Sequence, residues 1–391
     1  MTTTTTTPPP APGFRDRFPA LANTVHLAAC SIAPRSTDMD HALATMLDNL
    51  SHPGFWTACE QQLHEARRRF AHLIGADVAQ VAILPNTCVA AYQAVAGLRW
   101  RRRPYVVCAT AEFPGVAHVW LAQQPRGAWV RWCGTRAGQV TTDDYLRAVT
   151  SQTALVSVPA VTYRDAIRLS IPRIADAAHA VGAQVFVDAY QAAGVMPVNV
   201  GALRCDYLAA GTGKYLLGLP GLTFLYVRHP RGHLPTLTGW FGRIDPHAHD
   251  ATALDFPPHA RRFETGTPST AAVYAAIAGL SLIDRLDLDA VHRHTQQLIT
   301  ATAERLTAQG ESVRLVAQPE GQGAHLALVE PHTEAMAAWL APRGIIVAPR
   351  GGVIRLAMHA YTTDDDINAL CEAIASYRAG SRARQRTGAT R

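Results

Sequence analysis

Lys214, in 210-AGTGKYLLGLPG-221, is the only lysine among the 391 residues, and every other member of the 36 Lys+Arg side chains is arginine. Arginine stays protonated in proteins, whereas a lysine amine can lose its proton, attack a carbonyl and form a Schiff base. Composition biased toward alanine and arginine explains the missing lysines but not the one that survives between glycines. A second chemical pair precedes it. The run 184-QVFVDAYQ-191 ends on Asp188 and Gln191, and Asp188 lies 26 residues before Lys214. An isolated Asp at a strand end serves as a cap or turn residue. Together with a deprotonatable amine, it becomes half of a carbonyl-trapping site.

The elements that must position this pair are legible as a pattern. From about residue 80 to 228, the short runs VAILP, YVVCAT, WVRW, ALVSV, QVFVDA, YLAAG and LTFLYV alternate with helical segments. Such alternation predicts a mostly parallel sheet covered by helices on both faces. In such a sheet the carboxyl ends of the strands share one edge, where open α/β folds bind ligands. Asp188 and Lys214, each after a predicted strand, can therefore share a pocket. A bounded helix is expected near 170–183, with a Ser-Ile-Pro start and a Gly stop. Beyond Pro268 the texture changes to a helical stretch over about 270–309, then the strand candidates VRLVA, HLALVE, GIIVAP and VIRLAM. A last helix begins near 362, where Thr363 and Asp366 have capping-box spacing. The expected organisation is a disordered tail over 1–13, a large domain with its N-terminal segment over 14–270, a small C-terminal domain over 271–380 and a disordered tail over 381–391.

Composition narrows the function classes. No apolar run approaches the roughly 20 residues of a membrane span, and the opening MTTTTTTPPPAPG lacks the basic and apolar regions of a targeting peptide; a cytoplasmic location is expected. The net charge is +6, but the runs Arg67-Arg68-Arg69 and Arg101-Arg102-Arg103 read as solvated faces, so no nucleic-acid partner is expected. Seven cysteines without a CxxC pair argue against a disulfide framework or a zinc site. His247/His249 and His292/His294 lack further ligands at zinc spacing, and no metal is expected.

Pyridoxal phosphate needs a lysine to hold its aldehyde and an acid to keep its pyridine nitrogen protonated, which Lys214 and Asp188 can supply. The run 183-AQVFVDAYQAAGVMPVNVGALRCDYLAAGTGKYLLGLPGLTFLYVR-228 resembles the cofactor core of the class V aminotransferase-like family of fold type I pyridoxal-phosphate proteins. That family includes cysteine desulfurases, kynureninase and isopenicillin N epimerase, and the likeness extends over about 22–375. It implies a fold type I transferase, with a large domain built on a seven-stranded, mostly parallel sheet plus a smaller C-terminal α/β domain. It further implies that Asp188 holds the pyridine nitrogen, Gln191 bonds the phenolic oxygen and Lys214 forms the Schiff base.

Other segments resemble family motifs in turn. In 84-LPNTCVAAYQAV-95, the helix start at Asn86, Thr87 and Cys88 would meet the phosphate with free N–H groups. Phe113 would stack on the cofactor, Thr212 would contact its phosphate, and Thr267 would reach the phosphate of a neighbouring subunit, implying a homodimer with sites at the interface. Arg355, in 353-VIRLAMHAYTTDDDI-367, would bind a substrate carboxylate as a bidentate fork. Trp240, Phe241 and Arg243 are candidates for a pocket wall, with a buried aromatic pair as the alternative.

Two departures from the desulfurase pattern bear on the reaction. Gly211, Thr212 and Gly213 stand where desulfurases carry a Ser or Thr and a His before the lysine. No cysteine occupies 344-GIIVAPRGGVIRLAMH-359, where they carry a mobile nucleophile. The expected activity is therefore β-elimination from an S-substituted cysteine in specialised metabolism, by analogy with ergothioneine or lincosamide pathways. Decarboxylation giving an aldehyde, transamination, epimerisation and a catalytically inactive binding protein of the same fold are the alternatives.

Overall fold

The computed structural model describes residues 11–135, 139–232, 234–316 and 321–388, with side chains as far as residue 380. Residues 1–10 and 389–391, which hold most of the N-terminal tail and the end of the C-terminal one, lie outside the described residues.

Twelve strands are described: β1 (Val25–Leu27), β2 (Val81–Leu84), β3 (Tyr105–Ala109), β4 (Trp129–Cys133), β5 (Thr153–Pro159), β6 (Gln184–Asp188), β7 (Tyr207–Gly211), β8 (Thr223–Val227), β9 (Val313–Arg314), β10 (His325–Val329), β11 (Ile345–Arg350) and β12 (Val353–Ala357). The helices are α1 (Thr37–Leu50), α2 (Phe55–Ile74), α3 (Thr87–Ala96), α4 (Pro114–Leu121), α5 (Thr142–Ala148), α6 (Ile171–Ala180), α7 (Val200–Leu203), α8 (Thr270–Ile283), α9 (Leu288–Ala308), α10 (Thr333–Leu340) and α11 (Asp364–Gly388).

The seven apolar runs of the large domain become the seven strands of one sheet, ordered β2-β8-β7-β6-β5-β3-β4. Only β8 runs against its neighbours β2 and β7, so the other six present their carboxyl ends on one edge. Strands β5, β7 and β8 are buried along their whole length, as expected for a sheet covered on both faces. Successive side chains point to opposite faces. Val106 and Leu155 accordingly join Ala90, Ala94 and Trp120 of α3 and α4 on one side, whereas Val107 and Val156 join Phe70, Ile74 and Ile174 of α2 and α6 on the other.

A second sheet, ordered β1-β11-β12-β10-β9, carries the C-terminal part. The β11–β12 hairpin closes through Gly351 (φ 55°) and Gly352 (φ 81°) between the paired Arg350 and Val353. Two consecutive positive φ values define the tight turn whose twist matches the strands, and glycine adopts them without steric cost.

Several boundaries differ from those expected. Strand β1 pairs in parallel with β11, which places the N-terminal segment on the C-terminal sheet rather than with the large domain. Arg15 reinforces this junction by a forked bond to Asp366 at 2.7 and 3.0 Å. Helix α8 packs on α1 and α2, so it belongs to the large unit despite following residue 270. The stretch 270–309 is two helices, because Asp287 accepts from the N–H groups of Asp289 and Ala290 and starts α9 afresh. Helix α11 continues through Gly388, past the expected start of a disordered tail. The capping box at its start is present, with Thr363 N–H on Asp366 at 2.9 Å and Asp366 N–H on Thr363 Oγ1 at 3.3 Å.

Arg67 is no solvated residue. It is buried and forked onto the Glu264 carboxylate by three contacts of 2.8–3.0 Å, while Glu264 also accepts from Ile83 N–H. No described helix is long and apolar enough to cross a membrane.

Candidate active site

The ends of five parallel strands, β2, β3, β5, β6 and β7, border a cavity of about 260 Å³ whose lining includes Asn86, Thr87, Cys88, Phe113, Asp188, Gln191 and Lys214. The sequence separates these residues by as much as 128 positions, and the sheet edge gathers them: Asp188 closes β6, Lys214 follows β7, and α3 begins just beyond β2. Glu112, Tyr163 and Tyr190 complete the polar wall and were not anticipated. Tyr190 could have been suspected from its place between Asp188 and Gln191. Tyr163 sits on the connection 160–170 between β5 and α6, with no local pattern.

The Lys214 amine is lowered to about 8, chiefly by burial and also by the Arg355 and Arg350 charges, against the opposing pull of Asp188. Its Nζ lies 4.0 Å from the Tyr190 ring centroid and 5.5 Å from that of Phe113. Burial raises the Asp188 carboxyl despite a 2.9 Å bond from Tyr190 N–H. Glu112 is pushed up as well, by its burial and by the nearby Asp188 charge, although it accepts from Phe113 N–H at 2.8 Å and Ser157 Oγ at 2.9 Å.

Helix α3 starts with Asn86 Oδ1 accepting from Val89 N–H at 3.1 Å. The start of the helix, Asn86, Thr87 and Cys88, lines the cavity, and the buried Thr87 hydroxyl has no partner among the described residues. Phe113 remains 40% exposed, its ring meeting Tyr163 edge-on at 5.5 Å. Gln191 donates to the Cys30 carbonyl at 3.0 Å, leaving its own Oε1 buried without a partner among the described residues.

Arg355 reaches the same region from β12. It is 2% exposed, its Nη1 donates to the Tyr163 carbonyl at 3.0 Å, and its Nη2 is buried without a partner among the described residues. The N-terminal segment also contributes, since Ala33 N–H donates to the Gly213 carbonyl at 3.0 Å just before Lys214. On the far side, the neutral His359 ring meets the Tyr215 carbonyl at 3.1 Å, with burial holding its pKa down to about 4.

Other expected site residues lie elsewhere. Thr212 is fully buried and spends its hydroxyl on the Leu219 carbonyl at 2.5 Å and the Leu222 carbonyl at 3.3 Å. It ties the loop that follows β7 and does not face the cavity. Phe241 is buried against Trp240, ring centroids 4.3 Å apart, and lines a separate cavity with Glu60, His64 and Arg67. Arg243 is committed to Asp255 at 3.0 Å. These three form no wall of the Lys214 cavity, and Thr267 is exposed outside it.

The aminotransferase class-V family model matches residues 50–370. The chain belongs to the class V aminotransferase family. Among relatives of this class V chain, the uncharacterized aminotransferase YcbU of Bacillus subtilis is 34% identical over 368 residues, covering 93% of this chain and 97% of its own. A kynureninase of Deinococcus radiodurans is 31% identical, covering 71% of this chain and 68% of its own. The apo cysteine desulfurase of Thermococcus onnurineus NA1 superposes with a TM-score of 0.85 at 21% identity, covering 96% of this chain and 99% of that one. This is the fold type I architecture, and pyridoxal phosphate is the cofactor of the class V family. The residues present fit it: a lone amine of lowered pKa, a buried acid, an exposed ring and a helix start beside an unpartnered hydroxyl surround one cavity.

Proposed function

We propose that this class V, pyridoxal-phosphate-dependent enzyme is a C–S lyase that eliminates a thiol from the β-carbon of an S-substituted cysteine. The observation that carries the α-carbon chemistry is the position of Lys214, a buried amine titrating near 8 with Asp188 and Arg355 close enough to act on its charge. In this reading Asp188 would hold the pyridine nitrogen and Gln191 the phenolic oxygen. The start of α3, at Asn86, Thr87 and Cys88, would hold the phosphate, and Phe113 would cover one ring face.

When bound, pyridoxal phosphate supplies an electron-poor ring that accepts the charge left at the α-carbon. Arg355 fixes the substrate carboxylate through the nitrogen that has no partner among the described residues. Lys214, partly neutral at pH 8, takes the α-proton as general base. A thiolate is a good enough leaving group, with an ordinary pKa of about 8.5, to depart without a strong acid. Substrate and water are thereby converted to thiol, pyruvate and ammonia.

Elimination is favoured over persulfide formation because no cysteine stands between Gly344 and His359. The one thiol on the cavity, Cys88, sits at the start of α3, donates to the Gly115 carbonyl and has its pKa raised by burial. A cystine C–S lyase shares this fold, which is compatible with this choice. Transamination is the second reading, because a relative at 34% identity bears the name aminotransferase.

The deciding assay incubates the holoenzyme with a panel of S-alkyl and S-aryl cysteines. Pyruvate with an equal amount of free thiol supports the lyase; a keto acid formed only with an amino acceptor replaces it by the transaminase; CO2 with an aldehyde replaces it by the decarboxylating reaction. A homodimer belongs to the same reading, with Thr267 reaching the second subunit's phosphate end, and light scattering would give twice the chain mass.

A further inference from the structure

Tyr190 and Gly211 occupy one space. A Cβ placed on Gly211 would fall 2.2 Å from Cζ, 2.3 Å from Cε2 and 2.4 Å from the hydroxyl oxygen of Tyr190. Real Cβ atoms do not approach other atoms so closely, so the phenol stands where any side chain at position 211 would stand. Gly211 is the last residue of β7, the strand against which α3 packs, and Tyr190 lines the cavity together with Asn86 and Thr87. The Gly213 N–H faces the hydroxyl, which burial keeps protonated by raising its pKa to about 12. A neutral phenol is a donor, and Tyr190 shares the cavity lining with Thr87, whose buried hydroxyl has no partner among the described residues. Thr212, the residue expected to serve there, is turned inward.

We propose that the Tyr190 hydroxyl is a phosphate-binding donor for the cofactor, acting from the position that a residue-211 side chain would otherwise fill. The same ring already faces the Lys214 amine at 4.0 Å. Glycine at 211 is required by the phenol and not by the backbone, since its φ is not in the left-handed region. This inference rests on the pyridoxal-phosphate reading of the cavity.

The test compares pyridoxal phosphate with pyridoxal, which lacks the phosphate, by absorbance titration of the cofactor-stripped chain. Tyr190→Phe should raise the Kd for pyridoxal phosphate about tenfold to a hundredfold, the loss expected for one hydrogen bond to a charged group, and leave the Kd for pyridoxal unchanged. Equal effects on both ligands, or on neither, would overturn the assignment. If the wild type binds neither ligand, the cofactor reading itself falls. A rescue provides the second arm: Tyr190→Ala should weaken pyridoxal phosphate binding, and Y190A/G211S should recover it, because the serine hydroxyl enters the vacated space. A double variant no tighter than Y190A would show that the two positions do not share one phosphate contact. Melting temperatures of all variants verify folding.

Discussion

Arg355 donates through Nη1 to the Tyr163 carbonyl at 3.0 Å, and the same residue that receives this bond packs its ring edge-on against Phe113 at 5.5 Å. One loop residue thus links the Arg355 guanidinium with the ring that borders the cavity. The remaining guanidinium nitrogen, Nη2, is buried without a described partner, a costly state for a charged donor unless a substrate carboxylate completes it.

Arg355→Lys keeps the charge and removes the fork. Its expected effect is a rise in substrate KM of about tenfold or more, the equivalent of one charge-assisted bond, with an unchanged Kd for pyridoxal phosphate. Steady-state kinetics and a cofactor titration on the same preparation separate the two quantities. An unchanged KM would remove Arg355 from substrate binding.

The loop carrying Lys214 is fixed from the opposite side by glycine. A Cβ on Gly279, in α8, would lie 2.2 Å from the Leu216 carbonyl oxygen and 2.8 Å from the Leu217 carbonyl carbon, and Leu217 itself has φ 60°. Gly279→Ala should therefore lower stability by about 1–3 kcal/mol, as overpacking does, and weaken cofactor binding by shifting the loop. Gly54→Ala, where a Cβ meets nothing within 4 Å, is the control. Equal melting temperatures for the two variants would contradict the close approach of α8 and the loop.

Much of this arrangement was legible in the sequence. All seven strands of the large sheet were visible because each is a short apolar run bounded by polar turns, and for the strands inside the exposed edge strand β4 burial on both faces removes ambiguity about their nature. The three-residue strand β1 was not visible: Val25–Leu27 has no periodicity of its own, and only pairing with β11 makes it a strand. Asp188 and Lys214 could be placed on one edge because each follows an apolar strand run, whereas Gln191, Phe113 and the start of α3 were reached through the family resemblance; all of them line one cavity. Thr212 was misassigned, since sequence adjacency to Lys214 does not reveal that alternate residues leaving a strand point inward. Trp240, Phe241 and Arg243 were grouped as a pocket wall, whereas an aromatic pair and an Arg243–Asp255 bond satisfy them locally.

Buried histidines set an acid limit on the cofactor-free chain. Burial lowers His26 and His359 to about 4 and His325 to about 3. The unfolded chain protonates these rings near 6.5 while the folded chain does not, so it binds more protons in between and stability declines as pH falls. Each ring contributes at most about 1.4 kcal/mol per pH unit. Glu112 acts in the opposite sense, because its raised pKa makes the folded form hold a proton that the unfolded form has lost. The melting temperature should fall from pH 6.5 toward 4, and His325→Leu should flatten that slope. A slope unaffected by the substitution would mean that the ring is protonated in the folded protein.

The position of a single amine carries the functional reading, and trapping it chemically is the most direct test. The chain is incubated with pyridoxal phosphate, reduced with borohydride, digested and mapped by mass spectrometry. The predicted result is an absorbance band near the visible edge that reduction abolishes, with one stable adduct on the peptide containing Lys214 and neither signal in Lys214→Ala. An adduct confined to the N-terminal amine, or the same band in Lys214→Ala, would contradict it.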